Sequence, residues 1–374
     1  MSLASMIKKT HLLRPNALPN SYSLAIVCIS SYLQSIPESL LLNAKTIFIL
    51  QYKADCPTAV TLSTPNNAQH TIPVLPFDKL RDEIEFDILF FHPEFSTMWL
   101  GASAQHLRGL GIESYYIWMP TPHNRGICTT HDSTYYPSNK TALDNVFDRL
   151  ADEVSRRIFA SRIRALTTGN IGYIELSEYP QYFHPLVQPS LGDIVIDGGV
   201  SENINQQAGF IKAVGDTGKI YGFEPDPIGF EKARESLKKH DAKGIFQLIP
   251  SGLWHKRDTL HFDLAGDGTH VSHQGSPDSC PCEVISVDEF VDALSLKKVD
   301  LIKLDVEGAE VNVIKGAIKT ITRFKPKLAI SLYHAPKDLY YIPRLLLELD
   351  PQYKIYIGHH HACLYETILY ARRH

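Results

Sequence analysis

The stretch GDIVIDGGVSEN, residues 192–203, decides the fold. Ile194, Val195 and Ile196 form a β-rich run that ends on Asp197, Gly198 and Gly199 turn the chain, and a helix opens near Asn203. Strand, glycine turn and helix in that order open a doubly wound α/β sheet, whose ligands bind outside the carboxyl ends of the strands. The glycines let backbone approach a ligand closely, and an acid at the strand tip accepts bonds from an ammonium or hydroxyl. Asp197, Gly198, Gly199, Ser201 and Asn203 are therefore candidates for holding a cofactor. The full G-x-G-x-x-G is absent, and Asp197 with Glu202 makes the loop acidic, which disfavours a pyrophosphate and suits a cation. Taken alone, the pattern is equally that of a strand-to-helix turn with no ligand.

Downstream, KIYGFEPDP (219–227) ends the next strand at Glu224, 25 residues after Gly199 (224 − 199). In nucleotide-binding α/β units an acid at about that distance takes the ribose hydroxyls. Glu224 and Asp226 join the cofactor candidates, although Pro225 and Pro227 would also suit a plain helix start. A ribose and a cationic group without a phosphate cradle describe S-adenosylmethionine.

Further on, DLIKLDVEGAE (300–310) runs a strand into Asp305, Glu307 and Glu310, with Lys303 one strand-face step before Asp305. Carboxylates crowded at a strand-to-helix junction repel one another and lose hydration, a cost best tolerated where a ligand, cation or proton fills the space. Asp305 and Glu307 are expected to face the site, and Glu310 to be mainly structural at the positive end of the following helix.

Strand-like runs at 193–197, 219–223, 246–250, 299–304, 327–332, 353–357 and 367–370 alternate with helical patterns at 229–239, 309–324 and 338–349. Before them, runs at 25–29, 46–50, 71–74, 87–91 and 114–118 with a helical pattern at 98–107 suggest a smaller parallel α/β sheet. Its first strand runs into Ser30, Ser31 and Tyr32 without glycines, which argues against a nucleotide there. Between the two, 120–140 is rich in Thr, Pro, His, Asn and Gly, and Leu143, Phe147, Leu150, Val154 and Ile158 then predict one amphipathic connector helix over 141–166, opened by Thr141 and Asp144 as a capping box. The expected organisation is a small Rossmann-like α/β domain without a glycine-rich loop (1–122), a loop and connector helix (123–190), and a larger α/β domain (191–374).

The 374 residues are 44% hydrophobic and 21% charged, ordinary values for a chain with a real core. With 37 basic against 41 acidic side chains, a net −4, there is no broad basic surface for nucleic acid. Apolar stretches such as 24–29 and 345–347 fall far short of the roughly 20 residues of a membrane span. The run after Lys8, Lys9, His11 and Arg14 is broken by Pro15, Pro19 and Asn20, unlike a secretory signal. Six scattered cysteines read as reduced thiols, so a cytoplasmic setting is expected.

From about residue 144 to 372 the chain resembles the FkbM family of S-adenosylmethionine-dependent methyltransferases. The resemblance is carried by LADEVSRRIF (150–159), YPQYFHP (179–185), GDIVIDGG, YGFEPDP, LIKLDVEGAE, LAISLYHAPKDL (328–339) and YKIYIGHHHACLYETILYA (353–371). It implies a seven-stranded class I methyltransferase sheet with an antiparallel last strand, and methyl transfer to a hydroxyl of a sugar, polyketide or other small or carrier-linked acceptor. Val200 and Asn203 stand where relatives carry alanine and glycine. The first α/β stretch, with IPVLPFDKL (72–80), resembles the small module that precedes some FkbM domains.

An alcohol is a poor nucleophile until it loses its proton, so a base is expected, and Asp305, His334 and, less directly, His359 are candidates. A divalent metal is the other means, with Asp305, Glu307 and His334 as conceivable ligands, although no dedicated set stands out. Cys280 and Cys282 with His270 and His273 invite a zinc reading, but C-x-C is not the usual structural spacing, and 266–282 reads as a loop whose expected role is a mobile substrate lid. Two other readings are a catalytically silent binding or scaffold protein and a nicotinamide enzyme; the missing phosphate cradle weighs against the second.

Overall fold

The computed structural model describes residues 3, 21–27, 44–51, 59–63, 69–76, 88–91, 116–117, 134–168, 173–201, 203–264, 269–272, 279–361 and 364–373. The helix expected at 98–107, the residues Ser30 to Tyr32, Glu202 and His273, and much of the 120–140 and 266–282 stretches lie outside these. The chain forms two compact units from non-contiguous segments: one takes Met1–Thr141, Arg157–Leu176 and His361–Tyr365, the other Ala142–Arg156, Ser177–His360 and Glu366–His374.

The first unit is built on a six-stranded sheet of β1 (Tyr22–Val27), β2 (Ala44–Gln51), β3 (Ala59–Ser63), β4 (Gln69–Pro76), β5 (Ile88–Phe91) and β6 (Tyr116–Ile117), in the order β3-β4-β2-β1-β5-β6. All neighbours pair in parallel except β3 and β4, an antiparallel hairpin that the apolar runs did not announce. Leu24, Ala25 and Ile26 are fully buried, as the central position of β1 requires. In the same unit Arg162 Nη2 donates to the carbonyl of Leu364 at 2.6 Å, joining segments 202 residues apart.

Two helices, α1 (Tyr135–Arg149) and α2 (Glu153–Thr168), stand where one helix was expected. Thr141 is inside α1 and caps nothing at its start; the real cap is Asp152, whose Oδ1 accepts from Ser155 N at 2.7 Å. The break has a tertiary cause. Buried Leu150 makes a parallel bridge to Ile355, and Ala151 N donates to Ile355 O at 2.8 Å, which takes 150–152 out of helical geometry.

The second unit is a seven-stranded sheet of β7 (Ile194–Gly198), β8 (Lys219–Phe223), β9 (Phe246–Ile249), β14 (Leu301–Leu304), β15 (Lys327–Ser331), β16 (Tyr353–His359) and β17 (Thr367–Arg373). Its order is β16-β17-β15-β14-β7-β8-β9, and β17 alone runs antiparallel to its neighbours. The sheet is crossed by α3 (Asn205–Val214), α4 (Pro227–Leu237), α5 (Val287–Ala293), α6 (Glu310–Lys315), α7 (Ile318–Phe324) and α8 (Asp338–Leu349). Chain order reverses at β7, between β8 and β14, so the crevice for a ligand lies beyond the ends of these three strands.

Two details depart from expectation. The helix expected over 309–324 is interrupted at Gly316, where a Cβ would lie 2.2 Å from the carbonyl oxygen of Trp254; Asp288 then starts α7 afresh by accepting from Thr320 N at 2.8 Å. The supposed lid contributes two strands to a four-stranded sheet of β10 (Gly252–Leu253), β11 (Asp258–Asp263), β12 (His270–Val271) and β13 (Cys280–Ile285). Cys282 packs there with Phe262 and Val284 as a small hydrophobe, and both Cys280 and Cys282 are free thiols. No helix among the described residues is long and apolar enough to cross a membrane.

Candidate active site

A cavity of about 550 Å3 opens at the switch point, within the size range of small-molecule sites. The chain turns after β7, β8 and β14 form its walls, through Gly199, Val200, Ser201 and Asn203, then Glu224 and Asp226, then Asp305 and Glu307. Three segments read separately from the sequence therefore meet in one space.

Gly199 is held in left-handed geometry at φ +85°, and its N–H donates to Phe223 O at 3.1 Å. A Cβ there would stand 1.8 Å from the carbonyl oxygen of Asp305, so only glycine lets the β7 and β14 turns touch. Val200 is buried and reaches into space that Gly222 leaves open, which accommodates the departure from alanine. Asn203 has an ordinary negative φ and turns its carboxamide oxygen to Asn205 N at 3.3 Å, so the altered loop needs no left-handed residue at that point.

Asp197 and Gly198 sit differently from the sequence expectation: neither lines the cavity. Asp197 is wholly buried, with Lys303 Nζ 3.0 Å from its Oδ1 and Gln207 Nε2 donating to its Oδ2 at 3.0 Å. Lys303 in turn donates to Gly199 O at 2.6 Å. Burial opposes a charge on Lys303, but the carboxylates of Asp197 and Asp305 outweigh it and hold the ammonium above its ordinary pKa. Asp197 thus meets the glycine turn through Lys303 and stands behind the cavity wall.

Glu224 takes the wall beyond β8, and its Oε1 accepts from Asp226 N at 2.8 Å. Asp226 caps α4 by accepting from Ile228 N at 2.8 Å, so it serves the local fold while lining the cavity.

Asp305 is surrounded by hydroxyls. Ser331 and Tyr333 donate to Oδ1 at 2.7 and 2.8 Å, and Tyr182 donates to Oδ2 at 2.8 Å. Burial would raise its pKa, but Lys303, His334 and these donors hold the carboxyl below its usual range. A carboxylate so stabilised is a weak proton acceptor.

His334 is buried behind the cavity wall. Its Nδ1 lies 3.0 Å from Glu310 Oε1, and its Nε2 lies 3.4 Å from Glu307 Oε1 and 3.7 Å from Asp305 Oδ1. Burial disfavours the imidazolium, but Glu310 and Glu307 outweigh it and hold the ring well above its usual pKa. A ring so stabilised in its charged form is a weak proton acceptor. Glu310 is structural as expected in one respect, since it accepts from Val306 N at 2.9 Å, yet it also orients His334. His359 lies outside the cavity wall, fully buried in β16 with Nδ1 2.8 Å from Thr367 Oγ1, so it belongs to the core and not to a solvated loop.

The residue that sequence reading missed is Glu366. It lines the cavity at the start of β17, receives a hydrogen bond from Gln181 Nε2, and holds a strained left-handed φ of 60°. Burial, with Asp305 nearby, pushes its carboxyl up to about 8. In the tail YKIYIGHHHACLYETILYA the histidine run drew the eye; an acid immediately before a strand was the signal to be had.

Residues 201–360 match the family described as Methyltransferase FkbM domain. A 133-residue stretch is 31% identical to the hexuronic acid methyltransferase AglP of Haloferax volcanii, over 34% of this chain and 53% of that protein. A 156-residue stretch is 28% identical to the 2-O-methyltransferase NoeI of Sinorhizobium fredii, over 37% of this chain and 63% of that protein. The chain thus spans just over half of the first relative's length and under two thirds of the second's. A solved methyltransferase FkbM from Methylobacillus flagellatus superposes with a TM-score of 0.63 over 99% of this chain and 98% of its own, at 18% identity, a likeness of fold. Over residues 201–360, the chain is thus similar to the methyltransferases of the FkbM family.

Proposed function

We propose that the protein is an S-adenosylmethionine-dependent O-methyltransferase with a class I sheet, acting on a hydroxyl of a sugar, polyketide or related small or carrier-linked acceptor. The observation that carries this reading is the meeting of the Gly199 turn, Glu224 and the Asp305 and Glu307 pair around one cavity. The fit to the cofactor rests on chemistry: the glycine turn excludes a Cβ, and the walls offer carboxylates, which suit a ribose and a cation and not a phosphate. A sugar-type acceptor is favoured by the named activity of the hexuronic acid methyltransferase, and transfer to oxygen by that of the 2-O-methyltransferase. A reducing cytoplasmic setting accords with the free thiols of Cys280 and Cys282.

When bound, S-adenosylmethionine supplies an electrophilic methyl group on a sulfonium. In this reading Glu224 holds the ribose hydroxyls, and Ser201, Asn203 and Asp226 complete that end of the cavity. Lys303, paired with Asp197, keeps the Gly199 turn in shape. Asp305 presents a fixed negative charge toward the cationic ligand, and the cavity walls hold the acceptor in line, which can contribute up to roughly 7 to 11 kcal/mol. Glu366 takes the proton of the acceptor hydroxyl, a role worth about 10² to 10⁴ in rate. Its support is its seat in the cavity wall and the hydrogen bond from Gln181.

Calorimetry with S-adenosylmethionine tests the reading. Binding by the full chain, weakened roughly 10- to 100-fold in Glu224→Ala as expected for losing hydrogen bonds to a charged group, supports it. Absence of binding by the unaltered protein sinks it. Incubation with the cofactor and a panel of oligosaccharides, read as a 14-Da mass gain of roughly one methylene per acceptor, then finds the acceptor.

A further inference from the structure

The geometry points to a divalent-cation site formed by Asp305, Glu307 and His334, at the turn after β14 in the cavity wall. One donor atom from each residue lies within 4.8 Å of the others. Nε2 of His334 faces Glu307 Oε1 at 3.4 Å and Asp305 Oδ1 at 3.7 Å, separations that leave room for an ion between them instead of direct hydrogen bonds.

A second observation comes from the ring itself. His334 is 5% exposed, and neither of its nitrogens makes a hydrogen bond of acceptable geometry, although Glu310 Oε1 is 3.0 Å from Nδ1. A buried polar ring left in that state needs a partner. The Nδ1 side has a carboxylate that cannot leave, because Glu310 is 1% exposed and tied to Val306 N. A histidine that ligates a metal commonly turns its other nitrogen to a carboxylate, which fixes the ring and aims the ligating nitrogen. Here that arrangement aims Nε2 at Asp305 and Glu307.

The surroundings of Asp305 fit the same role. Ser331, Tyr333 and Tyr182 hold the carboxylate by its hydrogen bonds, as outer partners of a ligating carboxylate do. The nearby buried cation, Lys303, is committed to Asp197 and to the Gly199 carbonyl, so it does not neutralise Glu307. One imidazole with two carboxylates suits a first-row ion such as Mn²⁺.

Because Asp305 and Glu307 line the cavity, a cation held by them is open to a hydroxylated acceptor. The site deepens the methyltransfer reading but does not depend on it, since it can be tested with metal alone. The full chain, dialysed against a chelator, is titrated with MnCl₂ by calorimetry and by the loss of the free-ion electron paramagnetic resonance signal. The expected result is one ion per chain, with affinity at least tenfold weaker in His334→Gln and in Glu307→Gln. Glu307→Gln keeps the inference falsifiable if the buried His334 variant fails to fold, as judged by thermal unfolding. Glu224→Ala should bind Mn²⁺ as the unaltered chain does while losing S-adenosylmethionine, which separates the two readings. No stoichiometric binding, or equal binding in the unaltered chain and Glu307→Gln, overturns the site.

Discussion

Lys303 Nζ lies 3.0 Å from Asp197 Oδ1, across the parallel register that pairs these two residues on β14 and β7, and both side chains are almost wholly buried. Breaking one member of a buried ion pair leaves an uncompensated charge, a loss of about 3 to 5 kcal/mol. Lys303→Met should therefore lower unfolding free energy by that amount in urea. Adding Asp197→Leu should recover much of it, because both charges then leave the core together. If the double variant is less stable than the single one, the pair is not the source of the cost.

Gly199→Ala should damage the site by sterics alone. The added Cβ meets the carbonyl oxygen of Asp305 at 1.8 Å and the residue must keep φ +85°, so the β7 and β14 turns have to separate. Forcing a side chain into such backbone costs on the order of 1 to 3 kcal/mol before the clash is counted. Denaturation and S-adenosylmethionine calorimetry on the same sample should both show a loss. Unchanged binding would mean that the two turns are not coupled.

Glu366 makes a pH prediction with a definite sign. Its carboxyl is raised from an ordinary 4.5 to about 8 by burial and by Asp305. Between those values the folded protein binds a proton that the unfolded chain does not, so this group's contribution is present at low pH and fades as pH rises through about 8. Glu366→Gln cannot titrate and should lose less stability than the unaltered protein between about pH 5 and 9. Parallel stability curves for the two proteins would argue that Glu366 is not perturbed. Once an acceptor is found, the same variant should lower the rate by about 10²-fold or more.

Asp152→Ala should weaken the start of α2 by about 0.5 to 2 kcal/mol, because its carboxylate accepts from Ser155 N at 2.7 Å. Asp152→Asn, which retains an acceptor, should cost much less. Urea unfolding followed by circular dichroism distinguishes them; equal losses would place the effect in the charge and not in the cap.

Local chemistry was well legible. The apolar runs ending at Asp197, Glu224 and Asp305 became β7, β8 and β14 with their turns, since strand propensity and glycine geometry are short-range properties. Breaks inside helices were not legible. The interruptions at 150–152 and at Gly316 arise from contacts with Ile355 and Trp254, residues far away in the chain. Periodicity carries no trace of such contacts.

The sequence by itself determined the strands of the seven-stranded sheet, the switch-point motif and the acids at the strand tips, because each is written within a dozen neighbouring residues. Only the tertiary structure decided what those acids do. Asp197 and Asp305 both end buried strands, yet one is neutralised by Lys303 and withdrawn from the cavity, while the other is clothed in hydroxyls on its wall. Glu366, unremarked in the chain, is brought beside Gln181 and into the field of Asp305 by the antiparallel return of β17. A carboxylate's role is set by what burial removes from around it and by which charges the fold returns, and both are properties of space and not of sequence.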